Sequence, residues 1–271
     1  MMTVYGFLAL TCLLAFCNGF LSKGVHISVT AFGADETAVV EIRLVEYGKF
    51  SQMPRRERDA IEEGFEQFSN CEENSELRGK RYMKDGDIGL ILLYDANGYI
   101  AGIQAGIPKT NVDSYPPDSL KPPFIDDGDK WVITAYFVDP SIICTPGRTE
   151  HDFTSDGTGT DLYLQNGTDP EADYMLIPRK EENLGGTKWV KGGCFPAMGV
   201  HYWFDISRDM SCDNYFPPFL MYNRGFLNSF GWVFPTRVHS TRYEYPPYFT
   251  FGYLSQRFGI VAFFLKAIGM D

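Results

Sequence analysis

Histidine is scarce in this chain, and the common catalytic motifs are missing. Only four histidines occur in 271 residues, at positions 26, 151, 201 and 239. The sequence has no G-x-S-x-G, H-E-x-x-H, P-loop or dinucleotide-binding pattern. These absences remove support for the familiar routes to serine hydrolysis, zinc proteolysis and phosphoryl transfer, and they leave no flavin or nicotinamide motif.

Positive charge is also in short supply. Lysine and arginine number 24 against 35 aspartates and glutamates, which gives a formal net charge of −11. Nucleic-acid binding requires clustered cations that neutralise phosphates, and anionic membranes attract the same groups. The composition therefore predicts that neither nucleic acid nor a membrane surface is a partner, and it fits an acidic, exported protein.

Long apolar runs are missing beyond the N-terminus, and the one found there is short. The stretch Val4–Phe16 is too short to span a bilayer, and small residues follow it up to Gly19. It has the form of a secretory signal peptide, although the usual preceding positive charge is missing. We therefore predict a signal peptide over residues 1–19, a single globular domain over residues 20–271, and secretion without membrane attachment. A buried N-terminal strand is the alternative.

Four cysteines remain after the predicted signal peptide, an even number that predicts two disulfide bonds in an exported chain. Three pairings are possible. We expect Cys194–Cys212, which closes a short loop, and then Cys71–Cys144 by elimination. No C-x-x-C pair is present, which disfavours zinc. One glycosylation sequon, at Asn166, lies between polar turn residues and predicts a glycoprotein.

Aromatic residues are abundant, at 15% of the chain, and many short segments alternate apolar and polar positions. Such alternation predicts strands, and clusters of Gly, Asp and Thr between them predict turns. After Pro54, however, Ile61, Phe65 and Phe68 have helical spacing. The expected fold is therefore mostly antiparallel β, of the α+β class, with one amphipathic helix.

Two stretches share an order of features that predicts an internal duplication. The turns "DANG" and "NRG", with Gly98 and Gly225, each interrupt an apolar run as a tight hairpin requires. Each stretch continues with a proline ten residues after that glycine, a Tyr-Pro-Pro segment and a closing strand. We expect two similar halves, each with a hairpin and a closing strand, over about residues 71–140 and 194–266. Chance similarity between strands is the competing explanation.

The stretch "GGCFPAMGVHYWFD", residues 192–205, combines a cysteine, a methionine, a histidine and two large aromatic residues. In a strand over residues 200–204, His201 and Trp203 project from one face and Tyr202 from the other. Apolar neighbours lower the local dielectric and shift the pKa of a histidine. His201 is therefore the candidate catalytic residue, facing an internal cavity. A core strand with His201 at its rim is the alternative.

A metal centre is a second interpretation of the same stretch. Met198, His201 and Asp205 would suit copper, but their spacing matches no metal-binding motif, and we predict no metal. Aromatic rings stack on flat conjugated molecules, which favours a pocket for a small aromatic ligand. The expected ligand contacts are Met198, Tyr202, Trp203, Tyr222 and Trp232. Core packing is the alternative for each of these aromatic residues.

Three segments, "AIEEGFEQFSNC", "GCFPAMGVHYWFD" and "CDNYFPPFLMYN", resemble those of the secreted luciferases of syllid polychaetes, the marine fireworms. The similarity extends from about Val25 to Tyr245. It implies a secreted oxidoreductase that oxidises a small aromatic luciferin with molecular oxygen and emits light. A dry aromatic cavity suits this bioluminescence, because it keeps water from a peroxide-like intermediate. The resemblance assigns no catalytic residue, and family members continue beyond the position of Asp271 with further cysteines.

The sequence is also compatible with two functions other than a luciferase. One is a non-catalytic secreted binding protein for a small hydrophobic ligand, and the other is an extracellular structural protein. His201 and the disulfide-clamped loop favour a ligand site over a purely structural role. The aromatic content does not separate an enzyme from a binding protein. Molecular oxygen would be the co-substrate of a luciferase, and the sequence identifies no cofactor and no oligomeric state.

Overall fold

The computed structural model describes residues 27–29, 42–46, 49–72, 75–111, 114–195, 199–207, 210–236 and 238–243. The strands are β1 (Ile27–Val29), β2 (Ile42–Glu46), β3 (Lys49–Ser51), β4 (Phe65–Ser69), β5 (Lys80–Lys84), β6 (Ile91–Tyr94), β7 (Ile100–Pro108), β8 (Ile125–Asp127), β9 (Lys130–Tyr136), β10 (Tyr163–Gln165), β11 (Tyr174–Leu176), β12 (Trp189–Phe195), β13 (Gly199–Phe204), β14 (Pro218–Asn223) and β15 (Phe226–Trp232). The α-helices are α1 (Glu57–Glu62), α2 (Pro140–Ile143) and α3 (Glu150–Asp156), and Asp118–Leu120, Glu181–Leu184 and Cys212–Asn214 form 3-10 turns.

These strands form three antiparallel sheets. An eight-stranded sheet has the order β11-β10-β9-β7-β6-β5-β4, with β8 paired to β9 beside this path. A four-stranded sheet has the order β12-β13-β14-β15, and a small sheet has the order β1-β2-β3. The predicted mostly antiparallel β fold with few helices is confirmed.

The central strands of the eight-stranded sheet are buried on both faces. Every residue of β7 except Pro108 is buried. In the neighbouring β9, Ile133 and Ala135 pack in one apolar cluster, whereas Val132 and Tyr136 pack in another. Burial on both faces explains why these strands have near-continuous apolar runs instead of simple alternation.

The four-stranded sheet packs against the eight-stranded sheet through one shared cluster. Tyr202, Tyr222 and Phe230 belong to the same apolar cluster as Ile133 and Phe137. The ring centroids of Phe137 and Phe230 lie 6.3 Å apart, with their planes steeply inclined to each other. The four-stranded sheet therefore buries one face against the larger sheet, and its position fixes the strand that carries the candidate site.

The predicted helix is shorter than its apolar spacing indicated. Helix α1 ends at Glu62, and Gly64 has a φ of 86°, which breaks the helical path. Phe65 and Phe68 belong instead to β4, and Ile61 is 57% exposed. The interpretation of Ile61, Phe65 and Phe68 as one helical stripe was therefore wrong. Gly64, inside the stripe, is the residue that ends the helix.

Both predicted hairpins are present. The β6–β7 and β14–β15 pairs turn at Gly98 and Gly225, whose φ values of 84° and 82° are those that a tight turn requires. Strand β9, the first closing strand, pairs along β7. The second Tyr-Pro-Pro segment and the second closing strand lie outside the described residues. The internal duplication therefore stays a prediction.

The predicted Cys71–Cys144 disulfide bond is present, with the two Cα atoms 5.2 Å apart. It connects the end of β4 to the end of α2. Cys194 is also disulfide-bonded. The side chain of Cys212 lies outside the described part of the chain, so its pairing with Cys194 stays a prediction. The predicted signal peptide lies outside it as well, and none of the helices described is long and apolar enough to cross a membrane.

Candidate functional site

Strand β13 carries the predicted site stretch and alternates as predicted. It lies between β12 and β14 in the four-stranded sheet. Trp203 belongs to a small buried cluster with Phe219 and Met221. Tyr202 lies on the opposite face, in the large cluster that also contains Leu220. The two faces of one strand therefore have different surroundings, and they separate the predicted site residues into two groups.

His201 lies inside the small aromatic cluster and is completely buried. Its ring is nearly parallel to those of Phe219 and Trp203, with centroids 5.6 Å and 6.2 Å away. Its Nδ1 atom lies 3.2 Å from the carbonyl oxygen of Gly199. Burial lowers the pKa of His201 to about 4, although hydrogen bonds with the backbone of Gly199 and Gly193 oppose this shift. The imidazole is therefore neutral at pH 7, and its catalytic role stays a prediction.

The buried imidazole predicts acid sensitivity of the fold. Because the pKa of His201 falls from an ordinary 6.5 to about 4 on folding, only the unfolded chain binds the proton between these values. Stability is therefore lost as the pH falls below 6.5, by about 3 kcal/mol in total at about 1.4 kcal/mol per pH unit. Urea unfolding at pH 7 and pH 4.5 measures this loss. The difference between the two pH values is expected to shrink in His201→Gln.

His239 provides the matched control, because its side chain is exposed. His239→Gln is expected to keep the wild-type difference in unfolding free energy between the two pH values. If His201→Gln keeps the full difference as well, the buried imidazole is not its source.

The opposite side of β13 borders a groove of about 880 Å³, called here the Tyr202 groove. Trp189 and Lys191 of β12 and Tyr202 of β13 line it from the sheet. The segments 180–182 and 184–187 and the hairpin turn 224–226 form the rest of its lining. Of the described residues in the stretch 192–205, Tyr202 thus lines this groove. The groove lies on the face of the sheet opposite to His201.

Sheet register explains why the residues of the groove meet. Lys191 lies directly opposite Tyr202 in the β12–β13 pair, so both side chains project from the same face. The backbone N–H of Glu181 donates to the carbonyl oxygen of Gly225 at 2.9 Å. The N–H of Leu227 donates to the carbonyl oxygen of Arg179 at 2.8 Å. These two bonds attach the segment with Glu181 to the β14–β15 turn.

Glu181 forms the polar centre of the groove. Its Oε1 atom accepts hydrogen bonds from the Tyr202 hydroxyl at 2.7 Å and from the Lys191 Nζ at 2.8 Å. Burial and the bond to Glu181 raise the pKa of Tyr202 above its ordinary value. Burial alone would raise the pKa of Glu181, but the bonds from Lys191 and Tyr202 outweigh it and lower that pKa. At neutral pH the centre thus consists of a carboxylate held by two hydrogen-bond donors.

The groove also has an exposed aromatic ring and a surplus of positive charge. Phe226 is 58% exposed, which is unusual for so large an apolar side chain. Three cations and two carboxylates line the groove. Lys180 pairs with Glu182 at 3.5 Å and Lys191 pairs with Glu181, while Arg224 has no ion pair among the residues described. A small aromatic molecule with a polar substituent matches these features.

The other predicted ligand contacts lie elsewhere. Trp203 is fully buried beside His201, and Trp232 is buried against Phe230. Tyr222 is buried below the groove, where its hydroxyl donates to the carbonyl oxygen of Pro178 at 2.5 Å and its ring packs edge-on against Tyr202. Met198 lies outside the described residues. Of the predicted ligand contacts that the structure describes, Tyr202 is thus the one placed along the groove.

Metal ligands do not cluster in the described part of the chain, where no three His, Cys, Asp or Glu side chains come together. The Asp205 carboxylate, which the copper interpretation included, forms an exposed ion pair with Lys188 at 2.7 Å. His201 is buried in the aromatic cluster, and Met198 is not described. The Met198–His201–Asp205 interpretation therefore lies partly outside the described residues, and the two members that are described have other partners.

Among the groove residues that sequence reasoning missed are four that define its chemistry, Glu181, Lys191, Arg224 and Phe226. Lys191 lies two residues after Trp189 in an alternating segment, and this spacing places both side chains on the same face of a strand. Arg224 and Phe226 flank Gly225. The hairpin turn was predicted from the backbone conformation of this glycine, and no role was assigned to the two flanking side chains. No local signal identified Glu181, because it reaches Tyr202 across 21 residues of sequence.

Comparisons with protein-family models, with curated proteins and with solved structures found no match to this chain. A functional assignment therefore starts from the geometry of the Tyr202 groove.

Proposed function

We propose that the protein is a secreted oxidoreductase of the luciferase type. It binds a small aromatic molecule in the Tyr202 groove and oxidises it with molecular oxygen, with emission of light. The observation that carries this proposal is the hydrogen-bonded centre of Lys191, Glu181 and Tyr202 in a groove with an exposed Phe226. The resemblance to syllid luciferases supports the type of reaction. The Cys71–Cys144 disulfide bond supports export, because such bonds persist in oxidising compartments.

Aromatic side chains supply the surfaces for a flat substrate. Phe226 exposes its ring in the lining of the groove, and Trp189 and Tyr202 line it from the sheet with most of their surface buried. Aromatic pairs prefer offset-stacked or edge-on contacts and add about 0.5–1.5 kcal/mol beyond the burial of apolar area. A conjugated ring system placed between the β14–β15 turn and the sheet gains such contacts on more than one side.

The polar centre gives the groove its role in the chemistry. The substrate supplies electrons and molecular oxygen accepts them, and an anionic phenol or enol gives up electrons more readily than its neutral form. The Lys191 ammonium group has three N–H donors, so those not bound to Glu181 can stabilise negative charge on a substrate oxygen. The Tyr202 hydroxyl has one hydrogen, which turns from Glu181 to the substrate oxygen when the substrate binds. Glu181 holds both donors in place until the substrate arrives.

Binding without catalysis is the second candidate function, and the charge states in the groove favour it. The raised pKa of Tyr202 and the lowered pKa of Glu181 leave one group protonated and the other ionised throughout the neutral range. Efficient general acid–base catalysis uses groups whose pKa lies near the working pH. A groove with fixed donors and a fixed carboxylate serves recognition equally well.

A light assay separates the two functions. Purified protein from a secretory host is mixed in air with a protein-free extract of luminous syllid tissue. The proposed enzyme gives light and consumes oxygen, and both stop when oxygen is removed. A binding protein removes an aromatic compound from the extract without light. Neither light nor removal of any aromatic compound would contradict both functions.

A further inference from the structure

We propose that Asn166 carries an N-linked oligosaccharide, and that this glycan covers the exposed edge of the eight-stranded sheet. The sequon Asn166-Gly167-Thr168 follows β10 directly, and β11 is the last strand at that edge. Gln165 pairs with Tyr174, so Asn166 lies one residue beyond the paired end of the two strands. The modification and its role do not depend on the Tyr202 groove.

The acceptor side chain is accessible. Asn166 and Thr168 are both exposed. The backbone N–H of Asn166 donates to the carbonyl oxygen of Asp173 at 2.8 Å, which fixes the main chain of the turn. Within the residues that the structure describes, no hydrogen bond holds the side-chain amide of Asn166. Its nitrogen is therefore open to a bulky substituent without loss of a native contact.

Glycine at position 167 lets the turn close over Asp173. A Cβ atom at Gly167 would lie 2.4 Å from the Asp173 Oδ2 atom, so no side chain fits there. The same Oδ2 atom accepts a hydrogen bond from the backbone N–H of Asp169 at 3.1 Å. The middle residue of the sequon is thus buried, while its two outer residues remain at the surface.

The edge beside this turn is exposed and apolar. In the described sheet, β11 pairs with β10 alone, so its other side has no strand partner. Leu176 in β11 is 54% exposed. Exposed edge strands can pair with other chains, and native proteins limit this pairing with short strands, charges, prolines or covering groups. At three residues, β11 is only about 10 Å long, so a glycan at its end covers a large share of it.

The modification uses a donor of the secretory pathway. The Asn166 Nδ2 atom forms a bond to C1 of the first N-acetylglucosamine of a lipid-linked oligosaccharide. The bond from C1 to the lipid pyrophosphate breaks, the pyrophosphate leaves with its lipid, and the amide nitrogen gives up one proton. The reaction takes place in the oxidising compartment in which the Cys71–Cys144 disulfide bond forms.

The site is tested with the full chain expressed in a eukaryotic secretory host. The intact mass is expected to fall after treatment with peptide N-glycosidase. Thr168→Ser preserves the sequon and is expected to retain the glycan, whereas Thr168→Ala is expected to lose it. An unchanged mass in the wild-type chain, or equal masses of glycan in both variants, would overturn the assignment.

The role at the sheet edge is tested by aggregation, followed by light scattering at 40 °C. Loss of the glycan in Thr168→Ala is expected to speed aggregation about tenfold, and adding Leu176→Lys is expected to reverse this, because a charge blocks edge pairing. Ile61→Lys is the control, since Ile61 is equally exposed but lies on α1. Unchanged aggregation on loss of the glycan, or equal rescue by Ile61→Lys, would overturn the edge role.

Discussion

Tyr202→Phe is expected to lower the rate of oxygen-dependent light emission about 10²-fold and to leave the protein folded. The substitution keeps the ring in the groove but removes the hydroxyl that donates to Glu181 at 2.7 Å. Loss of one positioned donor to a developing negative charge typically costs about 10²–10³ in rate. The measurement is the initial rate of light emission per mole of folded protein, with the protein-free syllid extract as substrate.

Tyr82→Phe is the matched control, because Tyr82 belongs to a similar trio in the eight-stranded sheet. Its hydroxyl donates to Glu57 at 2.6 Å, and the Lys80 Nζ donates to the same carboxylate at 2.8 Å. Each substitution removes one such hydrogen bond and costs about 1 kcal/mol of stability. Only Tyr202→Phe is expected to lose activity. Equal rates in the two variants would remove Tyr202 from the reaction.

Replacing Cys71 and Cys144 together with alanine is expected to lower the free energy of unfolding by about 4 kcal/mol. The bond joins residues 73 positions apart, so it removes much of the conformational freedom of the unfolded chain. Both cysteines are only partly buried, so truncation to alanine adds little loss of packing. Urea unfolding of the double variant beside the wild type measures the difference. A loss below about 1 kcal/mol would show that the unfolded chain is already constrained there.

Local signals in the sequence predicted most of the strands. Gly98 and Gly225 marked two hairpins, because a tight turn needs positive φ and leaves a clear residue signature. The alternation in residues 200–204 correctly separated Trp203 from Tyr202. The spacing of Ile61, Phe65 and Phe68 predicted a helix that is too long, because Gly64 ends the helix before Phe65.

The candidate site was much harder to predict than the strands. Tyr202 was identified from its aromatic neighbours, but Trp203 and Trp232 are also aromatic and are buried away from the groove. Glu181 joins Tyr202 through a loop contact that no periodicity records. Residue type thus predicted which side chains suit a ligand, whereas exposure to the groove depends on how the segments 180–182 and 184–187 lie against the four-stranded sheet.

The substrate is expected to lie in the Tyr202 groove beside Lys191. Reductive methylation of lysines, read by peptide mass spectrometry, tests it with the light-active fraction of the syllid extract. The reaction is run without oxygen, so that the substrate binds but is not consumed. Lys188 is the internal control, because its side chain is 65% exposed against 61% for Lys191 but does not line the groove.

With substrate at about ten times its Kd, methylation of Lys191 is expected to slow about tenfold, because only the unbound fraction reacts. Methylation of Lys188 is expected to proceed at the same rate with and without the fraction. Equal labelling of Lys191 in the presence and absence of the light-active fraction would place the substrate outside the Tyr202 groove.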